Sequence, residues 1–191
     1  ARIDIGCGQG LLCRLAAARV LTVTCIYPTR ALLYEALRHG GSARYVEGTA
    51  EALPFDDASF DCAIFYMTLI DIPDFRTALA EAIRVLKPGG RLLIGNLTPY
   101  VTARPRNWPG EGSHWVSENG GRQHMAIDDM MLERRYAAAW GDIRIENHHR
   151  PLSAYMQPLL AAGMILRQFD DPPCTAPDPA LRARIHRMPR A

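Results

Sequence analysis

The stretch that decides the fold is IDIGCGQG, residues 3–10. Two isoleucines flank Asp4, glycines follow at positions 6, 8 and 10, and a segment with helical periodicity begins at Leu11. A buried strand, a turn with few side chains and a helix follow one another where open parallel sheets bind anionic groups. The spacing G-x-G-x-G differs from the dinucleotide fingerprint G-x-G-x-x-G. The turn alone therefore leaves open either a ligand site or a plain tight turn.

Strand-like and helix-like segments alternate from this turn to residue 97. Asp74 is a favourable N-cap for the helix that begins near Phe75. The first helix, which begins near Leu11, is expected to bury Leu12, Leu15 and Ala16. The predicted strands cover residues 20–26, 44–48, 60–67 and 91–97, and the predicted helices begin near Leu11, Thr29 and Phe75. This order predicts a Rossmann-like, doubly wound α/β sheet, mainly parallel with an antiparallel edge, and with helices on both faces.

Residues 98–147 differ in composition, since much of this segment is rich in Pro, Gly and Trp. A long irregular segment in a compact protein is commonly functional, so we expect a lid insertion that binds substrate. Residues 148–191 are expected to complete the cofactor-binding domain of residues 1–97. The further predicted elements are a helix over 128–140, a strand over 142–147, a helix from Ser153 to Gly163, a strand over 164–169 and a helix from Asp178.

The composition is that of an ordinary globular protein. The 191 residues are 48% hydrophobic and 22% charged, with a net charge of +2. This charge argues against nucleic acid as a partner, and no long uncharged apolar run predicts stable membrane insertion. Five cysteines without a CxxC pair predict neither a disulfide framework nor a metal site, and they favour a reducing, cytoplasmic location. The missing initiator Met suggests that the chain is truncated at both ends.

Three segments in order carry a specific resemblance. They are IDIGCGQG at 3–10, YVEGTAEALPFDDASFDCAIF at 45–65 and EAIRVLKPGGRLLIGNL at 81–97. Together they resemble the class I S-adenosylmethionine-dependent methyltransferases, in the subgroup of the ubiquinone and menaquinone biosynthesis enzymes. The stretch NHHRPLSAYMQPLLAAG at 147–163 also resembles a segment of small methyltransferases in that subgroup. The resemblance implies S-adenosylmethionine as cofactor and a small-molecule methyl acceptor as partner, with the methyl group moved by in-line displacement.

The resemblance also implies which residues hold the cofactor. An acid at the end of the second strand would accept both ribose hydroxyls, but Tyr27 stands there, and a phenol makes one such bond. Thr49 stands where relatives often have an Asp near the adenine. These departures motivate the alternative of a non-catalytic or weakly cofactor-binding relative. The implied cofactor residues are Asp4, Gly6, Cys7, Gly8, Gly10, Tyr27, Pro28, Thr49, Ala50, Phe65 and Tyr66.

A general base is needed only for an acceptor that carries a proton at the transition state. His149 is the first candidate, because a His pKa suits proton transfer near neutral pH. The alternative for His149 is a hydrogen bond to the lid backbone. Asp71 is the second candidate, and it is equally consistent with a helix-capping carboxylate. The predicted substrate-binding residues are His114, Trp115, Arg150 and Tyr155.

Overall fold

A computed structural model of the chain describes residues 1–19, 22–103, 113–118, 121–127, 129–140 and 143–171. It divides the chain into two compact units, residues 1–97 and residues 98–191. The boundary follows the last strand of the alternating strand–helix region.

The first unit is built on a five-stranded parallel sheet. Its strands are β1 (Arg2–Ile5), β2 (Val23–Tyr27), β3 (Arg44–Glu47), β4 (Phe60–Tyr66) and β5 (Leu86–Gly95). Their order in the sheet is β3-β2-β1-β4-β5. Its helices are α1 (Leu11–Ala17), α2 (Arg30–Arg38) and α3 (Phe75–Val85). The predicted Rossmann-like, mainly parallel sheet is confirmed.

The strand order places a topological switch point beside β1. The chain leaves β1 toward β2 and β3, then crosses back to lay β4 along the other edge of β1. In register, Asp4 lies opposite Cys25 of β2 and Ile64 of β4. Open α/β sheets bind ligands outside the carboxyl ends of the strands at such a point. The glycine turn, which begins at Gly6, lies there.

The core of this unit lies between the sheet and its helices. Ile3, Ile5 and Phe65 are fully buried, in keeping with the near-continuous apolar sequence of covered parallel strands. Helix α3 begins as predicted at Asp74, whose side chain accepts a hydrogen bond from the Thr77 amide at 3.1 Å. It buries an apolar stripe of Phe75, Ala78, Leu79, Ala82 and Val85.

Helix α1 differs from two expectations, on the face that it buries and on the pairing of its cysteine. Leu15 is 53% exposed, and Cys13 is the residue that this helix buries completely. Cys13 forms a disulfide with Cys25 of β2, across a Cα–Cα distance of 6.5 Å. The bond fixes the face of α1 that meets the sheet: Ala16 packs against it and Leu12 is partly buried, so only Leu15 of the predicted stripe was wrong. The expectation of unpaired cysteines was also wrong, because spacing along the chain does not show which cysteines the sheet brings together.

In its described residues, the second unit contains two short helices and two antiparallel strand pairs. Strand β6 (Ser113–Glu118) pairs with β7 (Gly121–Ile127), and β8 (Arg134–Trp140) pairs with β9 (Ile143–His149). The helices are α4 (Pro99–Thr102) and α5 (Leu152–Ala161). The antiparallel strands that we expected are thus present as two-stranded sheets. No helix in the described ranges has the length and apolar character needed to cross a membrane.

Several predicted elements of this unit were wrong. The helix predicted over 128–140 is a turn followed by β8, because pairing with β9 overrides the helical preference of the segment. Helix α5 starts after Pro151 rather than Ser153, and it continues through Pro158. Residues 164–171 form no regular secondary structure, although a strand was predicted over 164–169. The helix predicted from Asp178 lies outside the described residues.

Candidate functional site

The glycine turn is held against β2 by its own backbone. The amides of Gly6 and Cys7 both donate to the Ile26 carbonyl, at 2.9 and 3.2 Å. A Cβ on Gly6 would lie 2.0 Å from Thr68 Cγ2, and one on Gly10 would lie 2.6 Å from the Tyr45 hydroxyl. Neighbouring protein atoms therefore require glycine at positions 6 and 10.

Gly8 differs from the other two glycines of the turn. It has a φ of +52°, and a Cβ placed on it would meet no atom within 4 Å. The amides of Gly8 and Gln9 have no hydrogen-bond partner within the described part of the chain. Successive unpartnered amides in a turn of this kind form a concavity that suits an anionic group. The turn thus presents its open face at Gly8.

Asp4 is a buried carboxyl group next to this turn. It is 2% exposed, and its Oδ2 lies 3.3 Å from Cys13 Sγ. Burial raises the pKa of Asp4 from 3.8 to about 7, because the low-dielectric interior disfavours the carboxylate. A cation bound nearby would favour the ionised form and bring this pKa down.

Tyr27 connects the glycine turn with the segment after β4. Its side chain is partly buried, and burial raises its pKa. The negative charges of Asp71 and Cys7 raise the pKa of Tyr27 further, so both groups lie close enough to interact with the phenol. The structure therefore gathers Cys7, Tyr27 and Asp71 around the carboxyl ends of β1 and β2.

The chain leaves β4 through a tight turn that is hydrogen-bonded to the glycine turn. Met67 has a φ of +57° and donates its amide to the Gly95 carbonyl at 2.7 Å. The Thr68 hydroxyl lies 3.0 Å from the Tyr66 carbonyl and 3.3 Å from the Gly6 carbonyl. A non-glycine residue in the left-handed region costs about 1 kcal/mol or more, and such residues cluster at functional sites.

The loop between β3 and β4 is held by an ion pair on α3. The Arg84 guanidinium donates to the Glu81 carboxylate at 2.7 and 2.8 Å and to the carbonyls of Leu53 and Phe55 at 3.0 and 2.8 Å. Glu81 accepts from the Leu53 amide at 2.8 Å. This pair fixes the backbone that follows Thr49 and Ala50.

The remaining predicted cofactor residues differ in exposure. Pro28 and Thr49 are exposed, whereas Ala50 is buried. Phe65 is completely buried in the core, so only its backbone can take part in a site. Tyr66 is 61% exposed at the end of β4.

Sequence reasoning missed three residues near this edge. Thr68 and Tyr45 fill the space that Gly6 and Gly10 leave open. Within the described part of the chain, Tyr45 Oη and Asn96 Oδ1 are buried polar atoms without a hydrogen-bond partner. Asn96 could have been identified from the sequence, because it follows β5 directly within the segment 81–97 that carries the resemblance. Nothing in the sequence marks Tyr45 and Thr68 as residues of the site, because only the packed turn brings them into contact with Gly10 and Gly6.

In the second unit, both ring nitrogens of His149 are occupied. Nε2 lies 2.8 Å from the Met130 carbonyl, which can only accept, so Nε2 carries the proton. Nδ1 then accepts from the Thr102 hydroxyl at 2.9 Å. His149 is fully buried, and burial lowers its pKa. The geometry matches the alternative of a histidine bonded to the backbone of residues 98–147, here at Met130, and it leaves no nitrogen for proton transfer to an acceptor.

The predicted substrate residues lie on three elements of this unit. Arg150 follows β9 and Tyr155 lies in α5, and both are buried. Strand β6 pairs His114 with Ala126 and Trp115 with Met125 along the backbone. Their roles in binding an acceptor stay predictions.

Comparison with protein families supports the class that the sequence predicts. The family described as Methyltransferase domain matches residues 3–94. Residues 3–94, just under half of the chain, are similar to that domain. The match begins in β1 and ends in β5, so it spans the whole parallel sheet. The resemblance to the class I methyltransferases is confirmed.

Two curated proteins are similar to parts of the chain. The ubiquinone/menaquinone biosynthesis C-methyltransferase UbiE of Pasteurella multocida is 52% identical over 54 residues, which cover 28% of this chain and 20% of that protein. The O-methyltransferase rstn1 of Aspergillus nomiae NRRL is 36% identical over 116 residues, 53% of this chain and 52% of that protein. This chain thus spans about half of the second relative and a fifth of the first.

Two solved structures share the fold of the chain. An S-adenosylmethionine-dependent methyltransferase from Mesorhizobium loti has a TM-score of 0.79 at 23% identity, over 97% of this chain and 82% of that one. A candidate S-adenosylmethionine-dependent methyltransferase from Listeria monocytogenes has a TM-score of 0.79 at 21% identity, over 98% of this chain and 85% of that one. At these identities the likeness concerns the fold.

Proposed function

We propose that this chain is an S-adenosylmethionine-dependent methyltransferase that transfers a methyl group to a small-molecule acceptor by in-line displacement. One observation carries the proposal: a methyltransferase domain presents the open face of its glycine turn, at Gly8, beside the switch point of the sheet. The name of the UbiE relative, an enzyme of ubiquinone and menaquinone biosynthesis, supports a small-molecule acceptor.

The residues at the turn suit the methionine half of this cofactor better than its ribose. The unpartnered amides of Gly8 and Gln9 suit the carboxylate of its methionine half, and the buried negative charge of Asp4 favours an ammonium group nearby. The phenol of Tyr27 can make one hydrogen bond to the ribose, where an acid would accept two. When bound, the cofactor supplies the electrophilic methyl group. The protein supplies alignment and the exclusion of water.

The candidate base changes once the geometry of His149 is considered. Because its two ring nitrogens are already bonded, Asp71 is the better candidate for an acceptor that must lose a proton. Asp71 is exposed and lies within electrostatic reach of Tyr27. The atom that is methylated, the cytoplasmic location and the lid function of residues 98–147 stay predictions. The comparisons do not favour the non-catalytic alternative.

A matched pair of glycine variants tests the proposal. Gly8→Ala and Gly40→Ala both place a methyl group at a positive φ, +52° and +70°, with open space around it. Both should lose about 1–2 kcal/mol of stability, because the left-handed conformation disfavours a Cβ. Only Gly8→Ala should weaken the binding of S-adenosylhomocysteine, by about tenfold or more.

Isothermal titration of the full chain measures this difference. Wild-type affinity in the micromolar range and a Gly40→Ala affinity within about twofold of it are the expected results. Absence of binding to the wild type at about 1 mM ligand contradicts the cofactor assignment. Equal loss in both variants contradicts the placement of the ligand at Gly8.

A further inference from the structure

Three cysteine sulfur atoms meet at the glycine turn. The Sγ atoms of Cys7, Cys13 and Cys25 lie within 4.8 Å of one another. Cys13 and Cys25 share a disulfide that joins α1 to β2, and both residues are 0% exposed. Cys7 is a free thiol in the turn and is only partly buried. The bonded sulfurs are therefore shielded from solvent, while the residue that carries the third sulfur of the cluster is partly exposed.

Burial alone would make this disulfide resistant to reduction. Thiol–disulfide exchange requires an attacking thiolate to reach a sulfur of the bond, and fully buried sulfurs deny that approach to an external thiol. We propose that Cys7 is an exchange thiol, through which the buried Cys13–Cys25 disulfide is reduced and re-formed by thiols and disulfides of low molecular weight. A metal held by all three sulfurs would require separate thiolates, whereas two of them are bonded to each other.

The internal step conserves atoms and electrons. The Cys7 thiolate attacks Cys25 Sγ, a Cys7–Cys25 bond forms, and the Cys13–Cys25 bond breaks with Cys13 as the leaving thiolate. Asp4 Oδ2 lies 3.3 Å from Cys13 Sγ. Cys7 loses its proton to solvent before the attack, and the Cys13 thiolate takes up a proton from solvent after it. The proton released by Cys7 makes up for the one that Cys13 receives. No oxidant or reductant is consumed in this step.

Two external thiols complete the reduction. The first attacks the Cys7 sulfur of the new bond, which frees the Cys25 thiol and leaves a mixed disulfide on Cys7. The second attacks that mixed disulfide, frees Cys7 and departs as the external disulfide. The sum is one protein disulfide and two thiols converted to two protein thiols and one external disulfide. Re-formation follows the same steps in reverse, with an external disulfide such as oxidised glutathione as oxidant.

The surroundings of Cys7 make the internal step slow at neutral pH. Burial raises the pKa of Cys7 to about 12, and the negative charge of Asp4 on β1 contributes in the same direction. The other titratable groups that face the cluster are Tyr27 at the end of β2 and Tyr45 on β3. The thiolate population therefore grows by about tenfold per pH unit below the pKa, and the reduction rate should follow it between pH 7 and 9.

The exchange also affects the cofactor site, on the assumption that the proposed function is correct. Cys7 follows Gly6 directly, and its amide holds the turn to the Ile26 carbonyl. A Cys7–Cys25 bond would draw the turn toward β2. A cofactor bound at Gly8 would cover the neighbouring Cys7 and would slow the reduction of the disulfide.

The first experiment measures the reduction rate of the oxidised full chain. The protein is incubated with excess reduced glutathione at pH 8, quenched with acid and alkylated, and the Cys13–Cys25 disulfide is followed by mass spectrometry. We expect Cys7→Ser to slow reduction at least tenfold. Cys62→Ser, which changes the other free and partly buried cysteine, should stay within twofold of the wild type. Wild-type kinetics in Cys7→Ser, or an equal slowing in Cys62→Ser, would overturn the proposal.

The second experiment traps the intermediate. In Cys13→Ser, oxidised glutathione should produce a Cys7–Cys25 disulfide, and its absence in the folded variant would overturn the proposed attack. Saturating S-adenosylhomocysteine should slow reduction of the wild type at least threefold. If Cys7→Ser is slow but the bound nucleoside gives no protection, the exchange thiol is supported and the placement of the cofactor on the turn fails. The two proposals can thus fail separately.

Discussion

Asp4 shows at the scale of one residue how burial links protonation to folding. Its pKa is about 7 in the folded chain, against a usual value of 3.8. Between these values the folded state keeps a proton that the unfolded chain has released. The free energy of unfolding therefore falls as pH rises from about 4 to about 7, and it levels off above that. The total change is at most about 4 kcal/mol, at 1.4 kcal/mol per pH unit.

Asp4→Asn should remove this slope, because the amide does not titrate. The measurement is urea unfolding at pH 4.5, 6 and 8, with the stability of the wild type falling relative to that of the variant over this series. The buried His149, whose pKa is lowered, adds the same opposite trend to both proteins. Asp61→Asn is the control: Lys87 and the chain amino terminus hold the pKa of that exposed carboxyl at about 2. Its titration lies below the tested range, so the wild-type slope should remain. The same slope in Asp4→Asn would show that another group causes it.

Tyr27 is the second residue whose chemistry can be tested alone. Replacing it with Asp supplies an acceptor for both ribose hydroxyls, and hydrogen bonds to a charged group contribute about 1.5–3 kcal/mol each. Tyr27→Asp should therefore tighten S-adenosylhomocysteine binding by about tenfold, despite the negative charge of Asp71 nearby. Tyr27→Phe, the control, keeps the ring and should bind more weakly than the wild type. Weaker calorimetric binding by Tyr27→Asp would place the ribose elsewhere.

At the scale of elements, α3 holds the loop between β3 and β4 through Arg84. Arg84→Ala should lower the free energy of unfolding by about 2 kcal/mol, because it leaves two backbone carbonyls and a partly buried Glu81 without their donor. Affinity for S-adenosylhomocysteine should fall as well, since this loop follows Thr49 and Ala50. Urea unfolding and calorimetry measure the two effects.

Arg38→Ala is the matched control for Arg84. Arg38 also pairs with a glutamate three residues earlier on its helix, Glu35, but its side chain is 81% exposed and no backbone carbonyl is bonded to it. An exposed pair of this kind contributes about 0.5 kcal/mol. A loss in Arg38→Ala as large as in Arg84→Ala would mean that the backbone contacts of Arg84 add little.

The elements that sequence predicts well are those whose local pattern agrees with their surroundings. Strand β4 and helix α3 were predicted almost to the residue, because an apolar run covered on both faces and an Asp-capped amphipathic helix are local signals. Strand β8 was missed, since Arg134–Trp140 takes its conformation from pairing with β9. The sequence identified the glycine turn as a candidate site. It did not predict why residues 6 and 10 must be glycine, because Thr68 and Tyr45 approach Gly6 and Gly10 only in the packed turn.

At the scale of the whole molecule, the Cys13–Cys25 bond acts mainly on the unfolded chain. The two cysteines are 12 positions apart, and no motif joins them; the βα turn and the return of the chain through β2 bring them together. A cross-link over a loop of this size restricts the unfolded ensemble and stabilises the folded state by about 3 kcal/mol. Pairing of this kind is a property of topology, which explains why spacing alone did not predict it.

Reduction should therefore lower the stability of the first unit as a whole. We expect the urea midpoint of the oxidised wild type to fall once the protein has been fully reduced and its thiols counted, by an amount equivalent to about 3 kcal/mol. The double variant Cys13→Ala/Cys25→Ala should unfold at lower urea than the oxidised wild type, and reductant should not shift it further. Cys62→Ser should keep the full response to reductant, because Cys62 is free. Identical midpoints for oxidised and reduced wild type would mean that the disulfide leaves the unfolded ensemble unrestricted, as it would if the segment from Cys13 to Cys25 stayed structured after unfolding.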